Sequence, residues 1–245
     1  MTPLPDKSGF QWSTNVSSAG KNDFGVLIAH MLRSRIYRFQ AERLNIGSCP
    51  SGNRDTLAEN ASNLPEVLNV LQANRVLFQR FNKYVNEVFP SIYEISVRHK
   101  PSEGGRLEIL VWTHDPNTAR IDLAIELEES GTGVGQALAI LYVVLTSKYP
   151  RTILIDEPNS FLHPAAAKKL IELLKREFHQ HQYIITSHSP EIVRAANPES
   201  LIMLSWEPPQ TILQRLDIEK LADLQKILVE VGAKLADVFG ADYIF

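Results

Sequence analysis

Cysteine is nearly absent from this chain: Cys49 is the only one among 245 residues. A single thiol cannot close an internal disulfide, so a disulfide-stapled secreted fold is excluded and a reducing compartment fits. Cys49 lies in a Gly/Ser/Pro stretch and reads as an incidental thiol. No apolar run approaches the roughly 20 residues that a membrane span needs. The opening Met-Thr-Pro-Leu-Pro-Asp-Lys-Ser-Gly lacks the apolar core of a signal peptide. The expectation is therefore a cytoplasmic protein with no membrane partner. A surplus of one charge is also missing: 25 Lys and Arg face 28 Asp and Glu, a net charge of -3. That excludes a global basic field for nucleic acid and leaves a local basic patch open. Internal repeats and long low-complexity tracts are lacking as well. What is present is a chain 44% hydrophobic, enough for one large or two small globular domains.

Residues 1–23 are rich in Pro, Gly, Ser and Asn and read as an irregular lead-in, followed by a short helix over 24–34. Ile36-Tyr37-Arg38-Phe39 alternates like a strand, and 47–61 is a polar loop. Asn63 or Ser62 could cap a helix over 64–88, whose apolar residues recur at helical spacing. Strand-like runs over 92–98, 106–113 and 121–128 suggest a β-meander. Beyond Gly135 the pattern changes: helices over 137–147, 165–178 and 191–196 alternate with strands over 152–155, 183–186 and 201–204. A fourth strand over 211–216 and helices over 217–230 and 232–239 follow. Such alternation argues for an α/β fold, a parallel sheet with flanking helices.

The most informative stretch is Ile153-Leu154-Ile155-Asp156-Glu157-Pro158. Three aliphatics make a buried strand, two carboxylates stand at its C-terminal end, and the proline stops it. Ligands of open α/β sheets collect where strands end. A carboxylate there suits Mg²⁺, which prefers one or two carboxylates plus phosphate oxygens. The second carboxylate is left to polarise a water, the chemistry of a Walker B strand in a nucleotide hydrolase. The blander reading is an acidic cap on the next helix; the aliphatics before the pair and the proline after it favour the first.

Two further motifs support it. In Ile184-Ile185-Thr186-Ser187-His188-Ser189-Pro190 a histidine follows the next strand. Alone it reads as a structural residue. On a parallel neighbour it would share a sheet edge with Glu157, where an imidazole could sense a γ-phosphate. Glu129-Ser130-Gly131-Thr132-Gly133-Val134-Gly135-Gln136 places glycines before a helix, freeing backbone N–H groups for phosphate. A flexible loop is the alternative. The glycine spacing does not fit a dinucleotide fingerprint.

In this order the three motifs resemble the C-terminal half of an ABC-type AAA ATPase head, of the class shared by SMC, RecF and OLD proteins. The resemblance spans about residues 36–240. It implies a P-loop NTPase-like fold with a smaller β-rich and helical N-terminal part. The expected divisions are a lead-in over 1–35, an N-terminal head part over 36–128, an ATPase core over 129–216 and C-terminal helices over 217–245. It implies ATP and Mg²⁺ as ligands, with Asp156 for Mg²⁺ through water, Glu157 as catalytic base and His188 as γ-phosphate sensor. Ser130, Gly131, Gly133 and Gln136 match the signature, which in such families meets nucleotide held by a second head. The order departs from the standard Ser-Gly-Gly, so either Ser130 or Gly131 could hold the signature serine position. Asn159-Ser160-Phe161-Leu162-His163-Pro164 resembles the D-loop, and its His-Pro form, with Ala41-Glu42-Arg43, residues 61–68 and Ser189-Pro190-Glu191, looks like the OLD/RecF-like group. A homodimer or partner head, with DNA or a nuclease as further partner, is what that implies.

One expected motif departs. A phosphate-cradling Gly-x-x-x-x-Gly-Lys-Ser/Thr is required, and the sequence has a single Gly-Lys pair, Gly20-Lys21. Asn15 stands where glycine is needed and Asn22 where Ser or Thr is needed, so the pair reads as an ordinary loop. The expectation is a head lacking Walker A, with that motif upstream of Met1, and nucleotide bound poorly by Asp156 and Glu157 alone. Residues 231–245 resemble the run into a Toprim nuclease domain, or equally a plain C-terminal helix and apolar tail. The expected function is an OLD/RecF-like ATPase in DNA repair or phage defence. The alternatives are a non-catalytic subunit lending its signature loop in trans to a partner ATPase, or a truncated fragment.

Overall fold

The computed structural model describes residues 35–39, 46–101, 103–118 and 120–217, with Gly25 and Ile28. Gly25, Ile28 and Arg35 are helical. Ala41-Glu42-Arg43, Gly20-Lys21 and the C-terminal helices expected beyond 217 lie outside the described residues. The chain divides into two compact units, Met1–Arg35 and Ile36–Phe245; the architecture below is that of the second.

In chain order its elements are β1 (Ile36–Phe39), β2 (Cys49–Pro50), α1 (Leu64–Gln72), α2 (Arg75–Val88), β3 (Glu94–His99), β4 (Arg106–Trp112) and β5 (Ala124–Glu126). Then come α3 (Thr132–Thr146), β6 (Thr152–Asp156), α4 (Pro164–Glu177), β7 (Gln182–Thr186), α5 (Pro190–Ala196), β8 (Leu201–Glu207) and β9 (Gln210–Leu216). The parallel sheet runs β1-β6-β7, Phe39 opposite Ile155 and Asp156 opposite Thr186. This is the α/β fold with a parallel sheet and flanking helices that the alternation predicts. The meander also forms: β4 pairs antiparallel with β3 along one edge and with β2 and β5 along the other.

Local chemistry shifted several elements. The single helix expected over 64–88 is two, broken at Ala73-Asn74, because the Asn74 side chain caps α2 by accepting from Leu77 N at 3.2 Å. Asn63 precedes α1 but does not cap it; its carboxamide instead bridges Ala58 N (2.8 Å) and Thr56 O (3.1 Å). β8 and β9 do not extend the parallel sheet. They form their own antiparallel hairpin, since the two residues between Glu207 and Gln210 return the chain directly.

Packing explains how the layers hold. Every residue of α3 from 137 to 144 is buried, so this helix is core on all sides. β3 is paired on one edge by β4; on its other edge two carboxamides act as a surrogate strand. Asn82 bonds both N and O of Ile95 (2.8 and 3.2 Å), and Gln72 both N and O of Val97 (2.9 and 3.3 Å). The strand edge is thereby satisfied without a further strand. α2 packs on α3 and α4, and Tyr84 sets its ring edge-on to Phe178 at 5.3 Å while donating to Glu177 at 3.1 Å.

His181 ties α3 to the sheet. Its Nδ1 accepts from Arg151 N at 3.1 Å, and its Nε2 faces Val144 O at 3.4 Å. Burial holds its pKa below the ordinary 6.5, the largest of the influences on it. A folded pKa below the unfolded one means the unfolded chain takes up more protons, so stability falls as pH drops below about 6.5. Urea midpoints measured across pH 5 to 8 are expected to show this slope, and His181→Gln is expected to flatten it.

Candidate functional site

The site is built where two parallel strands end. β6 closes on Asp156 and β7 on Thr186, and the register sets the two opposite each other. Thr186 Oγ1 donates to Asp156 Oδ1. The next amide, Glu157 N–H, points at Thr186 O (3.1 Å) and Thr186 Oγ1 (3.2 Å). Glu157 itself is left-handed, at φ 45° and ψ 65°, a conformation costing an L-residue on the order of 1–3 kcal/mol and kept only where the surroundings over-determine it. Those surroundings are the Thr186 contacts on one side and, on the other, a buried Pro158 opening a helical turn over Pro158–Ser160. The turn lifts the Glu157 carboxylate off the line of the strand.

His188 lies just beyond β7, and its Nδ1 is 2.9 Å from Glu157 Oε2. Its side chain is 79% exposed against 28% for Glu157, so the imidazole is the solvent-facing partner. The turn continues into α4, whose first amides are met by His163: its Nδ1 accepts from Ala165 N at 3.3 Å. Within the turn, Asn159 Oδ1 is buried with no hydrogen-bond partner, the kind of group a bound water or ligand satisfies.

The glycine-rich stretch meets this turn from α3. Helix begins at Thr132, so Gly133 and Gly135 sit inside its first turn rather than in a loop before it. Gly131 precedes the helix at φ 94°, where an L side chain is strained. Gly133 has a different reason to be glycine: an added Cβ would lie 2.0 Å from Phe161 O. The absent side chain lets α3 seat on the segment that follows the acidic pair. Ser130 Oγ donates to Leu127 O at 2.8 Å. Gln136, on the same helix, is fully buried.

Of the sequence-derived residues, then, Asp156, Glu157 and His188 converge, Gly133 abuts them through Phe161, Ser130 and Gly131 mark the start of α3, and Gln136 belongs to the core. Thr186 and the buried Asn159 oxygen join them only in the folded structure. Nothing in the spacing signals Thr186; only the β6–β7 register does. Tyr37 packs within the fold, its ring tilted against Phe39 at 5.1 Å and its phenol donating to Leu57 O at 2.7 Å.

Among the described residues no group of three or more His, Cys, Asp and Glu could hold a metal, so a protein-only cage is not on offer. One carboxylate beside a second, with a hydroxyl fixing the first, fits Mg²⁺ completed by phosphate and water oxygens. Among the described residues no helix is long and apolar enough to cross a membrane.

A parallel α/β sheet carrying an acidic pair and a histidine at its C-terminal strand ends places the protein in the P-loop NTPase class of folds. The chain belongs to the family described as "AAA domain, putative AbiEii toxin, Type IV TA system", which matches residues 17–194; it is an AAA-type ATPase domain. The matched stretch begins just before Gly20-Lys21. Solved structures similar to it include SMC ATPases. One, described for ATP-driven dimerization and DNA-stimulated activation of SMC ATPases, is 18% identical at TM-score 0.49, covering 67% of this chain and 96% of that one. An Smc head with coiled coil and joint from Pyrococcus yayanosii is 17% identical at TM-score 0.48, covering 69% and 32%. An SmcHead bound to the C-winged helix domain of ScpA is 20% identical at TM-score 0.46, covering 69% and 49%. The chain thus spans about a third and a half of the latter two. No curated protein matches it.

The Gly133 contact is testable in isolation. Gly133→Ala is expected to cost about 1–3 kcal/mol by overpacking against Phe161, read from urea unfolding. Gly104→Ala, where an added Cβ meets nothing within 4 Å, should leave the midpoint unchanged.

Proposed function

We propose that this chain is the ATP-binding and ATP-hydrolysing head of an OLD/RecF-like ATPase serving DNA repair or phage defence. Asp156 would hold Mg²⁺, Glu157 would orient the attacking water, and His188 would contact the γ-phosphate. The observation that carries the reading is the convergence of Asp156, Glu157 and His188 at adjacent parallel strand ends, with Glu157 2.9 Å from His188. Bound Mg²⁺ supplies charge neutralisation of the phosphates. The chain's own residues supply position: Thr186 orients Asp156, and the left-handed turn at Glu157 presents its carboxylate.

Gly20-Lys21 is the chain's one Gly-Lys pair and falls inside the stretch that matches the family. Its surroundings depart from the phosphate-cradling pattern, with Asn15 and Asn22 in place of Gly and Ser/Thr. Those two departures also support a second reading: a non-catalytic subunit offering Gly131 at the start of α3 to nucleotide on a partner head.

Calorimetry of MgATP with the full chain separates the two. The first reading expects binding that weakens in Asp156→Asn. Absence of binding to the wild-type chain would remove it and favour the second, under which mixing with a P-loop-bearing partner raises that partner's ATPase rate. For the catalytic role, Glu157→Gln is expected to lower kcat by about 100- to 10,000-fold with MgATP binding retained; unchanged turnover would remove Glu157 as the base.

A further inference from the structure

The geometry points to Thr186 as the positioning residue of this site, one hydroxyl that sets both acidic residues at once; the inference rests on the cation reading of Asp156. Thr186 Oγ1 has one proton and gives it to Asp156 Oδ1. A carboxylate oxygen held by that donor leaves the other oxygen, Oδ2, as the one turned to a cation. The lone pairs of the same hydroxyl face the Glu157 amide at 3.2 Å, beside the Thr186 carbonyl at 3.1 Å. The amide is thus shared between two acceptors of one residue. That sharing anchors the start of the left-handed turn at Glu157.

The arrangement needs a hydroxyl at this position. Valine has the shape of threonine and the same β-branched preference for strand, but it can neither donate to Asp156 nor accept from Glu157. Serine keeps both bonds and loses only a methyl. The Thr186 side chain is exposed, so its substitution removes little buried surface and the fold is expected to persist.

Groups that orient metal-binding side chains typically contribute 10- to 100-fold in affinity. Mn²⁺ with ATP, titrated into the full chain and followed by the loss of the free Mn²⁺ paramagnetic signal, reads this without turnover. Thr186→Val is expected to weaken uptake by about 10- to 100-fold, and Thr186→Ser to restore most of it. Urea midpoints should stay close to wild type in both. Thr186→Ala serves as a second hydroxyl-free variant if valine perturbs folding. Wild-type uptake in both Thr186→Val and Thr186→Ala, with loss in Asp156→Asn, would overturn the positioning role while leaving the cation site standing. Equal losses in valine and serine would overturn it too, because the hydroxyl would then not be what matters. Uptake that Asp156→Asn leaves untouched would remove the cation reading itself, and Thr186's role with it.

Discussion

The parallel pairing of β6 with β7 is the constraint on which the rest of this structure depends. It is a backbone interaction, indifferent to catalytic side chains, yet it brings residues 30 positions apart to one point, Asp156 opposite Thr186. Once the strands end level, three consequences follow without further design. The Thr186 hydroxyl meets the Asp156 carboxylate, the Glu157 amide finds acceptors across the strand pair, and His188, two residues beyond β7, comes within 2.9 Å of the Glu157 carboxylate. A slip of one residue in β7 would turn its side chains, Thr186 among them, to the opposite face.

What keeps the pairing level is burial behind it. Ile153 and Ile155 are fully buried, and α3 is buried all round from 137 to 144. Burial on that scale, at roughly 25 cal/mol per Å² of apolar surface, outweighs the strain held in the single left-handed Glu157. His181 then links Arg151, the residue before β6, to Val144 near the end of α3. The near end of the same helix reaches the turn after β6, where Gly133 allows contact with Phe161. One helix thus meets the strand at its start and the turn at its end.

This division also sorts the glycine-rich stretch. Gly131, at a φ open mainly to glycine, answers to backbone conformation, and Gly133 to a close approach. Gln136 answers to the core. A stretch that looks uniform in sequence therefore divides by depth, and residues three apart on one helix face different environments. The helix start at Thr132 rather than after Gly135 is the physical reason: burial of the helix outweighs the helix-breaking tendency of two glycines, about 1 kcal/mol each.

The sequence by itself determined the elements with strong local signals. The aliphatic run before Asp156, the proline after Glu157, the meander and the alternation of helix and strand were all legible, because periodicity and turn chemistry are local properties. So was the adjacency of the acidic pair, and, given parallel strands, the meeting of Glu157 with His188. Tertiary structure alone decided which partners each group takes. Asn74 ended one helix to begin another, β8 and β9 turned back on themselves as a hairpin, Gln136 went to the interior, and Thr186 came to Asp156. Each of those outcomes depends on register or depth, which arise only when segments distant in the chain compete for the same buried surface.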